Sequence, residues 1–263
     1  MRQFHHEEDC MGTVFQFTGR TSIDESTFAN VLASATNSLH KADAIFSLYK
    51  AQSPLSRLAR GETSVAECPA VVDMVWNLCE EWERRTDGWF SAFTPQHTFD
   101  PSGLVKTWAA RYAADKLLEA GVNDFTLNAG GDILISEAQT DPDFWCIGIS
   151  KPVSIASAEA GVLAVLDLAG TGYRAVATSG SAERGQHIWN PKGSSPQTEI
   201  VQVSVIATDL VEADVWATAA FAEGLRSIER LNREPNIEAL YVTSSGDLQG
   251  TDGIIPLLAK PRG

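Results

Sequence analysis

The sequence predicts an α+β fold, as a single domain over residues 1–263 with a mostly antiparallel or mixed sheet and flanking helices. Two observations predict this class. Apolar residues recur at helical spacing in long stretches of the first half, whereas the second half carries short apolar runs separated by Gly, Asp, Ser and Pro. The chain has 263 residues, 44% of them hydrophobic, which is enough to bury a core. No repeat or low-complexity tract divides the sequence, which favours one domain.

The first half reads as one strand and three helices. Thr13–Gly19 alternates like a half-buried strand, and helical spacing follows from about Glu25 to Tyr49. A second helix is predicted over Ala70–Arg85, where Asp87-Gly88 ends the pattern. Its predicted apolar stripe consists of Val71, Met74, Val75, Leu78 and Trp82. The third helix runs from about Leu104 to Ala120 and ends at Gly121.

The second half reads mainly as sheet. Predicted strands are Phe125–Asn128, Asp132–Ser136, Trp145–Ser150, Leu163–Leu168, Ala175–Thr178 and Val201–Ala207. Two helices follow, near Leu210–Glu223 and Leu225–Leu231. A last strand is predicted at Ala239–Thr243, before a turn at Ser244–Asp247.

Charge and composition exclude several functional classes. A net charge of −14 without any Lys/Arg-rich run argues against a nucleic-acid partner, since such binding depends on neutralising phosphates. The N-terminal stretch lacks the apolar segment of a secretory signal, and no apolar run approaches the ~20 residues of a membrane span. We therefore expect a cytoplasmic protein without a membrane anchor. The four cysteines show no Cys-x-x-Cys spacing, so neither a zinc site nor a disulfide framework is predicted.

A carboxylate and a hydroxyl lie near the start of the predicted helix at Leu210–Glu223. Asp214 and Thr218 are four residues apart, so a helix places them on one face, where both could reach one hard cation. Taken alone, an Asp at this position is more often a helix cap or a dipole partner.

Asp100–Lys106 joins a turn to the start of the third helix. The free amides of a helix N-terminus and the positive charge of Lys106 together suit a diphosphate, although Lys106 taken by itself is somewhat more often a solvated surface lysine.

Three further segments carry candidate residues, and two of them, Thr178–Gly180 and the segment at His187, have two readings each. Asn128–Asp132 carries paired glycines that suit a tight turn, and the Gly-x-Gly-x-x-Gly fingerprint of a Rossmann site is absent. Thr178–Gly180 could form an anion-binding nest or an ordinary turn. His187 could take a proton from a hydroxyl near neutral pH, although a lone histidine is more often structural. His5, His6, His40 and His97 have no supporting context and are assigned no role.

The order of these segments along the chain resembles the motif series of the ApbE family. The matching segments are Met11–Thr13, Phe46–Tyr49 with Ser53–Leu58, Asp100–Lys106, Asn128–Asp132, Ala177–Gly180, His187–Pro191 and Ala213–Ala219. The resemblance extends from Met11 to the final strand, and seven motifs in sequence are far more specific than any one of them.

The resemblance implies an FAD:protein FMN transferase. Such an enzyme binds FAD with Mg²⁺, releases AMP and attaches FMN to a Thr or Ser hydroxyl of a target flavoprotein. By position, Asp214, Thr218 and the carbonyl of Gly103 correspond to magnesium ligands, and His187 corresponds to the base that activates the acceptor, so His187 and Asp214 are the expected catalytic residues. The expected FAD contacts are Met11, Tyr49, Phe90, Ser91, Ala92, Asp100, Lys106 and Ile188.

The sequence departs from the family pattern at three positions. Thr107 stands where the family usually has Gly, Ser91 where it has Asp, and Asn190 where it has Asp in the His-x-x-Asp-Pro segment. If that carboxylate orients the histidine, the base would be weaker here. Two alternatives stay open at this point: hydrolysis of FAD to FMN and AMP, and an FAD-binding protein without catalysis. Cys10 follows Glu7-Glu8-Asp9, which does not resemble a lipid-attachment site and again favours a cytoplasmic form.

Overall fold

The computed structural model describes residues 1–152, 161–180, 189–193 and 197–259. Contacts divide the chain into two compact units, Met1–Gly130 with Ser136–Ala138, and Gly131–Ile135 with Gln139–Gly263. The single domain over residues 1–263 stays a prediction. In the described part of the chain, no helix is long and apolar enough to cross a membrane.

The first unit contains a three-stranded antiparallel sheet. Its strands are β1 (Arg2–Cys10), β2 (Thr13–Thr21) and β3 (Asp124–Ala129), and β2 lies between the other two. Alternation along β2 and β3 buries Phe15, Phe17, Phe125 and Leu127 completely on one face. No strand was predicted over Arg2–Cys10, so β1 is a correction.

Four helices complete the first unit. They are α1 (Glu25–Phe46), α2 (Pro54–Ala59), α3 (Ala70–Arg85) and α4 (Ser102–Glu119). The helices α1 and α4 pack against each other and contact β1 and β3, respectively. The predicted bounds of α3 are confirmed, and α4 ends just before Gly121, which has a φ of 82°.

Two helical predictions in the first unit need correction. The first helix ends at Phe46 and not at Tyr49, because Ser47 takes an extended backbone and its carbonyl accepts the hydroxyl of Ser53 at 2.6 Å. The short helix α2 that follows was not predicted. On α3 the buried face consists of Val72, Val75, Cys79 and Trp82. Met74, predicted to lie on the apolar stripe, is 57% exposed.

The second unit contains a larger sheet and a hairpin. Its strands are β4 (Asp132–Ile135), β5 (Cys146–Ser150), β6 (Val162–Asp167), β7 (Ala175–Gly180), β8 (Ile200–Ala207), β9 (Glu238–Thr243) and β10 (Leu248–Gly250). The order β4-β7-β8-β9-β10 forms the larger sheet, β5 and β6 form the hairpin, and all these pairings are antiparallel. This confirms the α+β class with a mostly antiparallel sheet.

The hairpin and helix α5 (Leu210–Glu223) cover the larger sheet of the second unit. Ile147 and Leu166 of the hairpin belong to the same buried cluster as Val176 and Ile206 of the sheet. The helix α5 contacts β7 and β8, and a short helix α6 (Ser227–Leu231) follows it. The predicted bounds of α5 are confirmed.

Candidate functional site

Helix α5 begins with a cap that is separate from the predicted metal ligands. Asp209 is the N-cap, and its Oδ1 accepts the backbone N–H groups of Val211 at 2.9 Å and Glu212 at 3.2 Å. An N-cap carboxylate satisfies amides that have no partner inside the helix. The cap of this helix is therefore Asp209, and the reading of Asp214 as the cap is wrong.

Asp214 and Thr218 share one face of α5. Asp214 is 6% exposed, and Thr218, one turn further along, is half-buried. A buried carboxylate is costly unless it meets a hydrogen-bond donor or a cation. The pair supplies a carboxylate and a hydroxyl oxygen, the hard donors that Mg²⁺ prefers.

Strand β7 brings further polar groups to this part of the second unit. The Oγ of Ser179 lies 3.5 Å from the Oγ1 of Thr218. One residue earlier, the backbone N–H of Thr178 donates to Oδ1 of Asp132 at 3.1 Å, and Asp132 is 2% exposed. From the sequence, Thr178–Gly180 was expected to form an anion-binding nest or a turn, whereas Ser179 lies in strand β7, and neither its contact with Thr218 nor the contact of Asp132 was predicted. Their positions beside Gly residues at strand ends were visible, but their partners are distant in sequence.

The predicted FAD contacts at residues 90–92 and 100 are joined in the first unit. The backbone N–H of Asp100 donates to the carbonyl of Ala92 at 2.7 Å, next to an isolated bridge between Phe93 and Phe99. Phe90 and Ala92 are buried, and Ser91 between them is half-buried. Of this tripeptide, only Ser91 offers a partly accessible side chain.

The N-terminus of α4 begins directly after Asp100. The carboxylate of Asp100 accepts the N–H of Ser102 at 3.0 Å, and the N-cap Pro101 supplies no side-chain cap. Gly103 and the half-buried Lys106 lie in the first turns of this helix, which carry the positive end of its dipole. A carbonyl has two acceptor sites, so the carbonyl of Gly103 could bind a cation in addition to its helical hydrogen bond.

Thr107, a departure from the family pattern, faces the interior. It is fully buried, and its hydroxyl donates to the carbonyl of Leu104 at 3.2 Å. A second departure, Asn190, closes a turn, because its Oδ1 accepts the N–H of Lys192 at 3.0 Å. The third, Ser91, uses its Oγ to accept the N–H of Phe93 at 3.1 Å.

Met11 and Tyr49 are placed by turns of the first unit. Met11 and Gly12 form the two-residue loop between β1 and β2, with φ values of 53° and 71°. Positive φ at both positions is typical of a type I′ hairpin turn, and it is uncommon for methionine. Tyr49, after the end of α1, is completely exposed.

The predicted site residues are thus distributed along the chain as follows. Met11, Tyr49, Phe90, Ser91, Ala92, Asp100, Gly103 and Lys106 belong to the first unit, and Asp214 and Thr218 belong to the second. His187 and Ile188 lie outside the described residues. The structure joins Ala92 to Asp100 and places Thr218 beside Ser179.

Among the described residues, neither the cysteines nor groups of His, Cys, Asp and Glu provide an additional metal site. All four cysteines are free. Within the described ranges, no group of three or more His, Cys, Asp or Glu side chains could hold a metal ion. The predicted ligand set contains a single carboxylate, so it is not a group of that kind.

Comparison with known proteins identifies relatives over more than half of the chain. The ApbE family model matches residues 92–241. An FAD:protein FMN transferase of Klebsiella pneumoniae is 28% identical over 165 residues, which cover 59% of this chain and 48% of that protein. The FAD:protein FMN transferase of Escherichia coli K12 is 26% identical over 162 residues, which cover 58% of this chain and 44% of that protein. The match thus spans about half the length of these curated relatives.

Solved structures share the fold over nearly the whole chain. The flavin transferase ApbE from Vibrio cholerae superposes with a TM-score of 0.78 at 20% identity, covering 98% of this chain and 99% of that one. An ApbE protein from Thermotoga maritima gives a TM-score of 0.78 at 18% identity, with 98% and 100% covered. At these identities the likeness establishes the fold.

Proposed function

Because the chain belongs to the ApbE family, we propose that it is a magnesium-dependent FAD:protein FMN transferase. In this reaction a Thr or Ser hydroxyl of a target flavoprotein attacks the phosphorus of the FMN half of FAD. The bond from that phosphorus to the AMP phosphate breaks, AMP leaves, and FMN stays linked to the acceptor as a phosphoester. Curated relatives that match this chain carry the name FAD:protein FMN transferase. The segment matched by the family model, residues 92–241, includes both Asp214 and Thr218.

One observation carries the proposal. A buried carboxylate, Asp214, precedes the hydroxyl of Thr218 by one helical turn, and the helix has a separate cap in Asp209. This arrangement fits a site for a hard cation. When bound, Mg²⁺ would neutralise the diphosphate and make its phosphorus a better electrophile.

The residues of this chain would then bind the metal, hold the diphosphate of FAD and deprotonate the acceptor hydroxyl. Asp214, Thr218 and the carbonyl of Gly103 would hold the metal, and Lys106 would contribute a fixed positive charge beside the amides of α4. His187, assigned by the family resemblance alone, would accept the proton of the acceptor hydroxyl. A local cation and Lys106 would also let a chain of net charge −14 bind an anionic dinucleotide. The cytoplasmic location stays a prediction.

Incubation with FAD and Mg²⁺, with and without a coexpressed flavoprotein, tests the proposal. We expect AMP release together with a mass increase of one FMN on the flavoprotein. AMP release at the same rate with and without the flavoprotein, and without modification of any protein, would establish a diphosphatase instead. Bound FAD with no AMP release would identify a carrier.

Asp214→Asn should abolish most of this turnover. The substitution keeps the size of the side chain and removes the charge that would bind the metal, so we expect a loss of at least about a hundredfold. Glu212→Gln removes a charge from the same helix two positions earlier and is the matched control, with activity expected to stay near that of the parent. Equal rates for Asp214→Asn and the parent would eliminate the metal assignment.

A further inference from the structure

Two polar contacts of the second unit, Ser179 with Thr218 and Asp132 with Thr178, have no part in the proposed reaction. We propose that Ser179 is a positioning residue, which accepts the proton of the Thr218 hydroxyl, and that Asp132 anchors the strand carrying Ser179. This inference rests on the proposed function, since it takes Thr218 as a metal ligand. Both contacts lie within the second unit.

The chemistry of a hydroxyl ligand explains why Thr218 needs such a partner. A hydroxyl has one proton and two lone pairs, and it rotates freely unless a neighbour holds it. When a lone pair faces a cation, the proton has to point towards another acceptor. The Oγ of Ser179 lies 3.5 Å from Oγ1 of Thr218, and Ser179 is buried, which limits the access of water to that position. Ser179 can therefore fix the direction in which Thr218 presents its lone pair.

Asp132 holds the backbone next to Ser179. Its carboxylate accepts the N–H of Thr178 at 3.1 Å, and a hydrogen bond to a charged acceptor is stronger than a neutral one. The pairing of β4 with β7, Ile133 opposite Val176 and Leu134 opposite Ala175, brings Asp132 to this end of β7. The carboxylate therefore restrains the strand one residue before Ser179.

Strands β7 and β8 provide a matched control, the pair Thr178 and Ser204. The hydroxyls of Thr178 and Ser204 lie 2.8 Å apart, and Ser204 is fully buried. Successive residues of a strand point to opposite faces, so this pair lies on the face away from Ser179. Ser204→Ala removes the same atom as Ser179→Ala, from a shorter contact, without touching the contact to Thr218.

Binding of Mn²⁺, used in place of Mg²⁺ and followed by electron paramagnetic resonance in the presence of FAD, tests the role of Ser179. Loss of an outer-shell partner typically weakens metal affinity about tenfold or more, and we expect this for Ser179→Ala. Ser204→Ala should bind Mn²⁺ like the parent, and Ser179→Thr should restore the affinity because it keeps the hydroxyl. FAD binding without metal, measured by flavin fluorescence, should be equal in all four proteins.

The role of Asp132 is tested in the same assay. Asp132→Asn keeps an oxygen that can accept the Thr178 N–H, whereas Asp132→Ala removes it. We expect Asp132→Ala to bind Mn²⁺ more weakly than Asp132→Asn. Equal weakening in the two variants would overturn the anchoring role.

Three results for the variants would overturn the inference for Ser179. They are parent-like Mn²⁺ affinity in Ser179→Ala, equal weakening in Ser204→Ala, and a folded Ser179→Thr variant that does not recover. A parent that binds no Mn²⁺ with FAD present would overturn it as well. FMN transfer by the parent decides the proposed function separately, because a parent that binds Mn²⁺ and modifies no acceptor disproves only the transferase.

Discussion

Met11 combines an unfavourable backbone conformation with a predicted contact to FAD. A non-glycine residue at a φ of 53° carries the cost of the left-handed region, about 1–2 kcal/mol for a residue with a Cβ. Such strain is often retained at functional positions. We therefore expect Met11→Gly to stabilise the fold by up to about 1 kcal/mol, since glycine removes the strain but loses more chain entropy on folding.

The same variant should bind FAD more weakly, because it lacks the side chain. Urea unfolding measures the first effect and flavin fluorescence the second. Met11→Asn, which tolerates the left-handed region, serves as the control for backbone relief. A destabilised Met11→Gly with unchanged FAD affinity would contradict both statements.

The thiols of Cys10 and Cys79 should be unreactive in the folded protein. Burial, with the charge of Asp43 as a further cause, raises the pKa of Cys10 from 9.0 to about 11, and burial raises the pKa of Cys79 from 9.0 to about 12. The thiolate is the reactive form, so at neutral pH both should react with a disulfide reagent far more slowly than the partly exposed Cys68 and Cys146. All four should react in denaturant.

The same shifts give these thiols a pH dependence of known sign. Because the folded pKa values lie above the ordinary value, the folded state holds protons that the unfolded state releases. Their contribution to stability is complete below pH 9.0 and falls as the pH rises towards about 12. Cys79→Ala should lessen this alkaline loss of stability, and unfolding curves at increasing pH would show whether it does.

Local spacing brings together one part of the candidate site and does not bring together the other. Asp214 and Thr218 lie four residues apart, so helical periodicity alone brings them together. Ser179 and Thr218 are 39 positions apart, and Asp132 and Thr178 are 46 apart. Such contacts depend on strand order and register, which one sequence does not specify.

At the level of elements, helices with strong apolar periodicity were predicted correctly, whereas a polar strand and a short helix were missed. The bounds of α3 and α5 were predicted because each has an apolar pattern and a clear start or stop. Strand β1 was missed because its inward positions include His6 and Glu8, whose polar side chains hide the alternation. Helix α2 is only six residues long, too short for periodicity to identify.

The N-cap of helix α5, Asp209, is expected to contribute to the stability of the fold. Asp209→Ala removes the acceptor for two backbone N–H groups, and we expect a loss of about 1 kcal/mol in the free energy of unfolding. Asp209→Asn retains an acceptor oxygen and should lose much less. Chemical denaturation compares the two. Equal losses for Asp209→Asn and Asp209→Ala would show that the charge matters more than the hydrogen bonds, because both variants lose the charge and only Asp209→Asn keeps an acceptor.

For the whole molecule, the class of fold followed from the distribution of helices and strands, whereas the family followed from seven motifs in order. Composition argues against nucleic-acid partners but could not identify an anionic dinucleotide as a ligand, because the net charge of −14 opposes it. A chain with this charge should bind FAD well only when a cation accompanies it. The proposed function therefore predicts strong coupling between Mg²⁺ and FAD.

This coupling should appear in the stability of the entire chain. A ligand that binds only the folded state stabilises it by RT ln(1 + [L]/Kd), about 2.7 kcal/mol at a hundred times Kd. Because Mg²⁺ neutralises charge that opposes FAD, and the diphosphate of FAD supplies oxygen ligands for Mg²⁺, the two ligands together should raise the melting temperature by more than the sum of their separate effects. In Asp214→Asn the excess should disappear while the shift caused by FAD alone remains, and Glu212→Gln should retain the excess. Additive shifts in the parent would mean that the metal and the nucleotide do not share a site.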